Sequence, residues 1–307
     1  MRDNRKPSKI ALLGIALVLI MVSAVIASAV PNGSVIQGNE EENLVIVEST
    51  YNNIDYVFKV TGKGNVPHYH FYEKADGELE PADVSFHVKF IQLIEFNDIN
   101  DDGFDAGEQV PGGGHMLALP SVDWNYKIDT AAKIFNFTTP EGSTPWVRLV
   151  NHYDVANELK FDIELRDWDW LRDDSELALR FDVTANPEPE IDPEDVVALA
   201  TSKGVRFDYG DDKTAFFNSS TEAEITTESG TSTQTVKIKV RIMDEDDDIG
   251  ASVYLSYPHF TKLSHDPTVG FGDRSAVSEF PILQTSLFIV GMATIGILGI
   301  LVIRRRY

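Results

Sequence analysis

Cysteine is missing from all 307 residues. That removes disulfide staples, thiolate zinc sites, iron–sulfur clusters and Cys nucleophiles from consideration. Basic residues are scarce, with 26 Lys and Arg facing 49 Asp and Glu for a formal charge of −23. Sequence-independent nucleic-acid binding needs a cation at each phosphate contact, so this balance argues against nucleic-acid partners. The Gly-x-Ser-x-Gly elbow of many hydrolases does not occur, and no internal repeat stands out. What is present suffices for a fold. Apolar residues make up 43% of the chain, which favours a packed core over disorder, and the length allows one or two domains.

Both ends carry long apolar runs. Arg2, Arg5, Lys6 and Lys9 precede an apolar run from Ile10 to Ile26, broken only by Ser23 and followed by Ala27-Ser-Ala29. A basic region, an apolar region and a small-x-small site predict a secretory signal peptide over residues 1–29, cleaved after Ala29, with an uncleaved anchor as the alternative. From Ile282 to Ile303 only Gln284, Thr285, Ser286 and Thr294 are polar, and Arg304-Arg-Arg306 follows before Tyr307. At about 1.5 Å per residue such a run spans roughly 33 Å, which fits a transmembrane helix over 282–303. The arginines place residues 304–307 in the cytoplasm and residues 31–279 outside the cell.

The Glu279-Phe280-Pro281 triplet, the apolar helix and the terminal Arg cluster together resemble the sorting tails of archaeal surface proteins processed by archaeosortase-type enzymes. That resemblance implies removal of the helix and attachment of a lipid anchor; a plain single-span anchor is the alternative. Without the two ends, 19 bases face 48 acids, a net of −29. Such a surface attracts cations and repels anions.

Between the ends the sequence reads as all-β. Apolar and β-branched residues alternate in Leu44–Glu48, Tyr56–Val60, Phe86–Phe90, Lys133–Thr138, Leu159–Leu165, Leu177–Val183, Thr235–Ile242 and Ala251–Tyr257. Gly, Asn, Asp and Pro clusters separate most of them, predicting an antiparallel sandwich of ten or more strands. Pro193–Gly204, preceded by Asp192, predicts the one helix. The Pro- and acid-rich run 186–193 would part a β region over 31–185 from a second one over 186–279, or form a long loop inside one sandwich. Ser/Thr-rich residues 218–236 predict an exposed hairpin.

Asp98-Ile-Asn-Asp-Asp-Gly-Phe-Asp-Ala-Gly-Glu108 is the sharpest motif. Oxygen donors at positions one, three and five with Gly103 at six curl a backbone around a hard cation, so Ca²⁺ is the expected structural ion. The candidate ligands are Asp98, Asn100, Asp102, Phe104, Asp105 and Glu108; an Asp/Asn/Gly-rich turn without an ion is the alternative. The run resembles the Ca²⁺ loops of secreted bacterial and archaeal surface proteins, one residue shorter. A second acidic cluster, Asp244, Asp246 and Asp248, would hold or share a cation or form a solvated turn. Asp167-Trp-Asp-Trp170 alternates acid and aromatic, which would place Trp168 and Trp170 on one face of a strand, either in the core or stacking on sugar rings.

His68-Tyr-His70, five residues after Gly62 and with Glu73 behind, resembles the first cupin motif. That resemblance implies a metal on His68, His70 and Glu73, with His115 as the nearest remnant of a second motif; an aromatic-flanked structural pair is the alternative. His152, His259 and His265 are scattered. Sequons at Asn32, Asn136 and Asn218 fit a glycosylated outer face. With so many acids a carboxylate pair carries no information about glycoside hydrolysis.

The sequence thus predicts a cell-surface, membrane-anchored, acidic β-rich protein with a structural calcium site, serving envelope structure, adhesion or binding of carbohydrate or an envelope protein. Its ectodomain resembles uncharacterised extracellular β-rich domains. The alternative is a surface-tethered hydrolase acting on polysaccharide or peptide, with Trp124, Trp168 or Trp170 beside two carboxylates.

Overall fold

Alternating apolar residues become strands throughout the computed structural model. It describes residues 35–39, 44–51, 54–61, 67–74, 81–110, 116–129, 134–155, 157–187, 196–209, 213–245 and 248–273. The signal-like segment, Asn32, His115, Asp246 and the 282–303 segment lie outside them, and among the described residues no helix is long and apolar enough to cross a membrane.

In chain order the first strands are β1 (Val35–Asn39), β2 (Leu44–Tyr51), β3 (Ile54–Thr61), β4 (His68–Lys74), β5 (Pro81–Phe96), β6 (Met116–Ala118) and β7 (Asn125–Asp129). Then come β8 (Ile134–Thr138), β9 (Trp146–Val155), β10 (Glu158–Arg166), β11 (Glu176–Pro187), β12 (Val196–Thr201), β13 (Gly204–Tyr209) and β14 (Lys213–Asn218). The last are β15 (Glu222–Thr227), β16 (Gly230–Thr235), β17 (Lys237–Glu245), β18 (Asp248–Tyr257), β19 (Lys262–His265) and β20 (Thr268–Asp273).

The described strands form two antiparallel sheets. The first runs β1-β2-β3-β4-β5-β11-β18-β17, with β6 beside β5. In the second, β12-β13-β14 join β20, β16-β15 join β19, and both β19 and β20 pair with β10, whose other edge carries β9, β8 and β7. Strands β19 and β20 keep one continuous register against β10 and are parted at Asp266-Pro267, where proline has no N–H to give the ladder. Each sheet therefore contains strands from either side of 186–193: β18 and β17 extend one edge of the first sheet, and in the second β10 lies between β19 and β20.

Inward faces of both sheets meet in one aromatic core. Tyr69 lies 5.6 Å from Phe161, Phe58 5.5 Å from Tyr153, and Phe181 4.9 Å from Phe217, each pair bridging the two sheets. Burying one such ring contributes about 1.5–3 kcal/mol, so this layer is the main source of stability.

The expected helix over Pro193–Gly204 is not formed. Val196–Thr201 is strand β12, paired with β13 through a tight turn at Ser202-Lys203. The β-branched residues Val196, Val197 and Thr201 suit a pleated edge, and tertiary pairing overrides a weak helical pattern. Gly204 is demanded by this hairpin, because its φ of 146° and the carbonyl of Phe217 leave no place for a Cβ. The Ser/Thr-rich hairpin appears as β15–β16, and every residue of β16 is exposed.

One irregularity decides which side chains reach the outer face of the first sheet. A bulge in β5 opposite Arg180 and Phe181 flips the alternation. Before it, Phe86, Val88 and Phe90 point into the core. After it, Ile94 and Phe96 join Phe104, Ala178 and Tyr254 in a second, smaller apolar cluster.

Candidate functional site

The acidic run 98–108 is a loop folded over that smaller cluster. Phe104 is its plug, with its ring 5.4 Å from Phe96 and 4.9 Å from Tyr254 and its amide donating to Ser256 Oγ at 3.1 Å. Gly103 has φ 92°, and a Cβ there would press on Lys237, so glycine is required twice over. Asp98 organises the turn by accepting the amides of Asp102 and Gly103 at 3.2 and 2.9 Å. Asn100 accepts the same Asp102 amide at 3.3 Å, so donors at positions one and three gather at one point. Glu108 closes the loop from inside, taking the amides of Ile99 and Asp105 on its two oxygens.

The acids of the loop meet a row of cations on β17. Lys237 Nζ lies 2.8 Å from Asp98, 2.7 Å from Asp101 and 2.9 Å from Glu176. Lys239 reaches Asp102 at 2.8 Å and Asp105 at 2.7 Å, and Arg241 reaches Asp105 at 3.1 Å. Burial alone would raise the Asp98 carboxyl, but hydrogen bonds from Lys237 and the Gly103 and Asp101 amides together hold it below its ordinary value. Five carboxylates (98, 101, 102, 105 and 176) thus face three cations, and Glu108, held by backbone amides inside the loop, brings the local excess to three negative charges. Among the described residues no group of three or more His, Asp or Glu stands ready-made around a metal. Of the second acidic cluster, Asp244 and Asp248 lie in the β17–β18 hairpin, where their backbone is described but their side chains are not.

His68 and His70 lie on the outer face of the first sheet, since Tyr69 and Phe71 between them take the core. Glu73 is on the opposite face of β4 and pairs with Lys213 at 2.9 Å, so it does not join them. His87 does: it sits directly across from His70 on β5, and its Nδ1 is 3.1 Å from His68 Nε2. The sequence reading missed His87, because nothing local ties it to His-Tyr-His; only strand register does.

On the outer face of the second sheet, β7 to β10 and β19 line an open groove of about 450 Å³. Its walls are charged: His152 meets Asp162 at 2.8 Å, and Glu164 lies between Lys262 at 3.1 Å and Arg148 at 3.8 Å. Asn136 of the second sequon is half-buried and turns into this groove between the buried Phe135 and Phe137. Asn218 is half-buried at the end of β14.

The tryptophans line other places. Trp168 is in the core, Trp124 is buried and donates to the Leu119 carbonyl, and Trp170 stacks on His259 at 4.1 Å. Trp168 and Trp170 occupy the loop between β10 and β11 rather than a strand. That loop is organised by Glu95, a residue the sequence did not single out. The bulge in β5 turns its carboxylate inward, where it accepts Trp168 Nε1, the amides of Leu171 and Arg172, and Ser175 Oγ at 2.6 Å.

One Ser–His contact is present but locked. His265 Nε2 donates to the Ser220 carbonyl at 2.9 Å while Nδ1 faces Tyr257 Oη at 2.9 Å, so Nε2 has no lone pair to activate Ser219, 3.2 Å away.

No protein family and no curated protein sequence matches the chain. Among solved structures it is similar to a heparinase III with methylated lysines, at a TM-score of 0.40 and 8% identity over 78% of this chain. The chain spans 36% of that protein's length.

Proposed function

We propose that this chain is a membrane-tethered, cell-surface β-sandwich that serves envelope structure, adhesion or ligand binding, with Ca²⁺ as a structural ion at the Asp98–Glu108 loop. The observation that carries the calcium part is the local excess of three negative charges over the β17 cations, gathered where Asp98 and Asn100 already share the Asp102 amide. A divalent cation offsets that excess without freeing Phe104 from its cluster. The surface location rests on the two apolar segments, Ile10–Ile26 and Ile282–Ile303, which flank a strongly acidic ectodomain. Tryptic shaving of intact cells tests it: peptides from 31–279 should be released, and only lysed cells should yield them if the location is wrong.

The charged groove on the second sheet suits a polar ligand such as carbohydrate, and a glycan on Asn136 would enter the same space. The groove also carries the hydrolase reading, through Asp162 and Glu164, which share one face of β10. Both are held in ion pairs, and Trp124, Trp168 and Trp170 lie elsewhere, which favours binding over hydrolysis.

A further inference from the structure

We propose that His68 and His87, with His70 packed beside His87, form a binding site for a divalent transition metal of the copper class. Two rows of the first sheet's outer face build it. One row runs Lys59, His70, His87, Thr184 across β3, β4, β5 and β11, and the next runs Thr61, His68, Lys89, Asp182. His87 is the hub, its ring 4.0 Å from that of His70 and 5.0 Å from that of His68.

The decisive distance is the 3.1 Å between His68 Nε2 and His87 Nδ1. Two nitrogens bound to one metal at about 2.0–2.1 Å lie about 2.9 Å apart at a right angle and about 3.4 Å apart at the tetrahedral angle. The observed spacing falls between these limits. In the free protein it is bridged by a single proton, and a metal ion takes that proton's place. With two imidazoles as anchors, water or a ligand of the metal fills the remaining positions.

The surroundings keep the imidazoles in the ligand form. Burial first, then Lys59 and Lys89 and the other histidines, push His68 and His70 down to about 4 and His87 to about 3. At neutral pH a metal therefore has no imidazolium protons to displace. The same two lysines oppose any added cation, and the facing acid, Asp182, is occupied by Arg180 and Ser252. Hard cations, which bind by charge, are excluded; ions with strong bonds to imidazole nitrogen, Cu²⁺ above Ni²⁺ and Zn²⁺, are selected. This site is chemically separate from the all-oxygen loop at 98–108.

The test is Cu²⁺ titration of the untagged full chain in detergent micelles, read by calorimetry and by nitrogen hyperfine structure in electron paramagnetic resonance. Expected is one Cu²⁺ per chain with nitrogen ligands, weakened by about tenfold or more in His68→Ala and in His87→Ala, unchanged in His152→Ala, and not displaced by excess Ca²⁺. Equal affinity in His68→Ala, His87→Ala and wild type would overturn the proposal, as would the lack of stoichiometric binding at pH 7. Should either variant fail to fold, Zn²⁺ protection of the wild type decides instead. Zn²⁺ should shield His68 and His87, but not His152, from imidazole acylation mapped by peptide mass; equal labelling with and without Zn²⁺ would refute the site.

Discussion

Glu95 shows how much one buried side chain can organise. Its carboxylate takes donors from Trp168, Leu171, Arg172 and Ser175, and a neutral amide in its place would turn an NH₂ toward those N–H groups. Glu95→Gln should therefore cost about 2–3 kcal/mol, measured as a drop in denaturation midpoint without a change in slope. His265 makes a pH-dependent contribution. Burial pushes it down to about 4, although the Ser220 carbonyl and Asp266 favour the charged form. Unfolded, the same imidazole titrates near 6.5, so between those values the unfolded chain holds a proton that the folded chain does not. Stability from this group is complete above about 6.5 and declines by about 2–3 kcal/mol as pH falls to about 4. His265→Asn should flatten that part of a plot of melting temperature against pH; an unchanged slope would refute the assignment. Neither residue announces itself in the sequence, because each draws its role from partners 45 or more residues away or, for Tyr257, across a strand turn.

At the scale of elements, the acidic loop is a clip between β5 and the edge strand β17. Lys237 is its main fastener, and Lys237→Ala would leave Asp98, Asp101 and Glu176 facing one another. The expected loss is about 1–2 kcal/mol, modest because the lysine is partly solvated, and it should shrink in high salt. A loss that is equal at low and high salt would point to packing rather than charge. The loop's position and its Gly103 hinge were legible in the sequence, since Asp-x-Asn-x-Asp-Gly can do little else than turn. Its partners were not, because Lys237, Lys239 and Arg241 lie over 130 residues away. Strand interiors such as Leu159–Leu165 and Leu177–Val183 were legible for the opposite reason: alternation is local, and both faces of the sheet enforce it. The misread element, β12, has too few residues for its period to be told apart from one helical turn.

For the whole molecule, the pairing of strands before and after 186–193 in both sheets, β11 with β18 and β10 with β19 and β20, makes the fold depend on long-range pairing. His68, His70 and His87 repeat the argument made for His265, with folded values of about 4, 4 and 3. Asp98 and Asp105, both held low by β17 cations against burial in the case of Asp98, lose their contribution further down as they take protons. Both sets act in the same direction, so the melting temperature should fall progressively from about pH 6.5 toward pH 4. A flat profile over that window would contradict the burial of these groups.

The most direct test of the calcium-bearing loop is the melting temperature of the full chain in detergent across a Ca²⁺ titration. An ion that binds only the folded state adds about 2.7 kcal/mol at hundredfold saturation. With Ca²⁺ in the loop, the melting temperature should rise in the wild type and in His68→Ala and stay unchanged in Asp98→Ala combined with Asp102→Ala. A melting temperature indifferent to Ca²⁺ in the wild type would contradict the calcium site and leave Lys237, Lys239 and Arg241 as the only cations the loop requires.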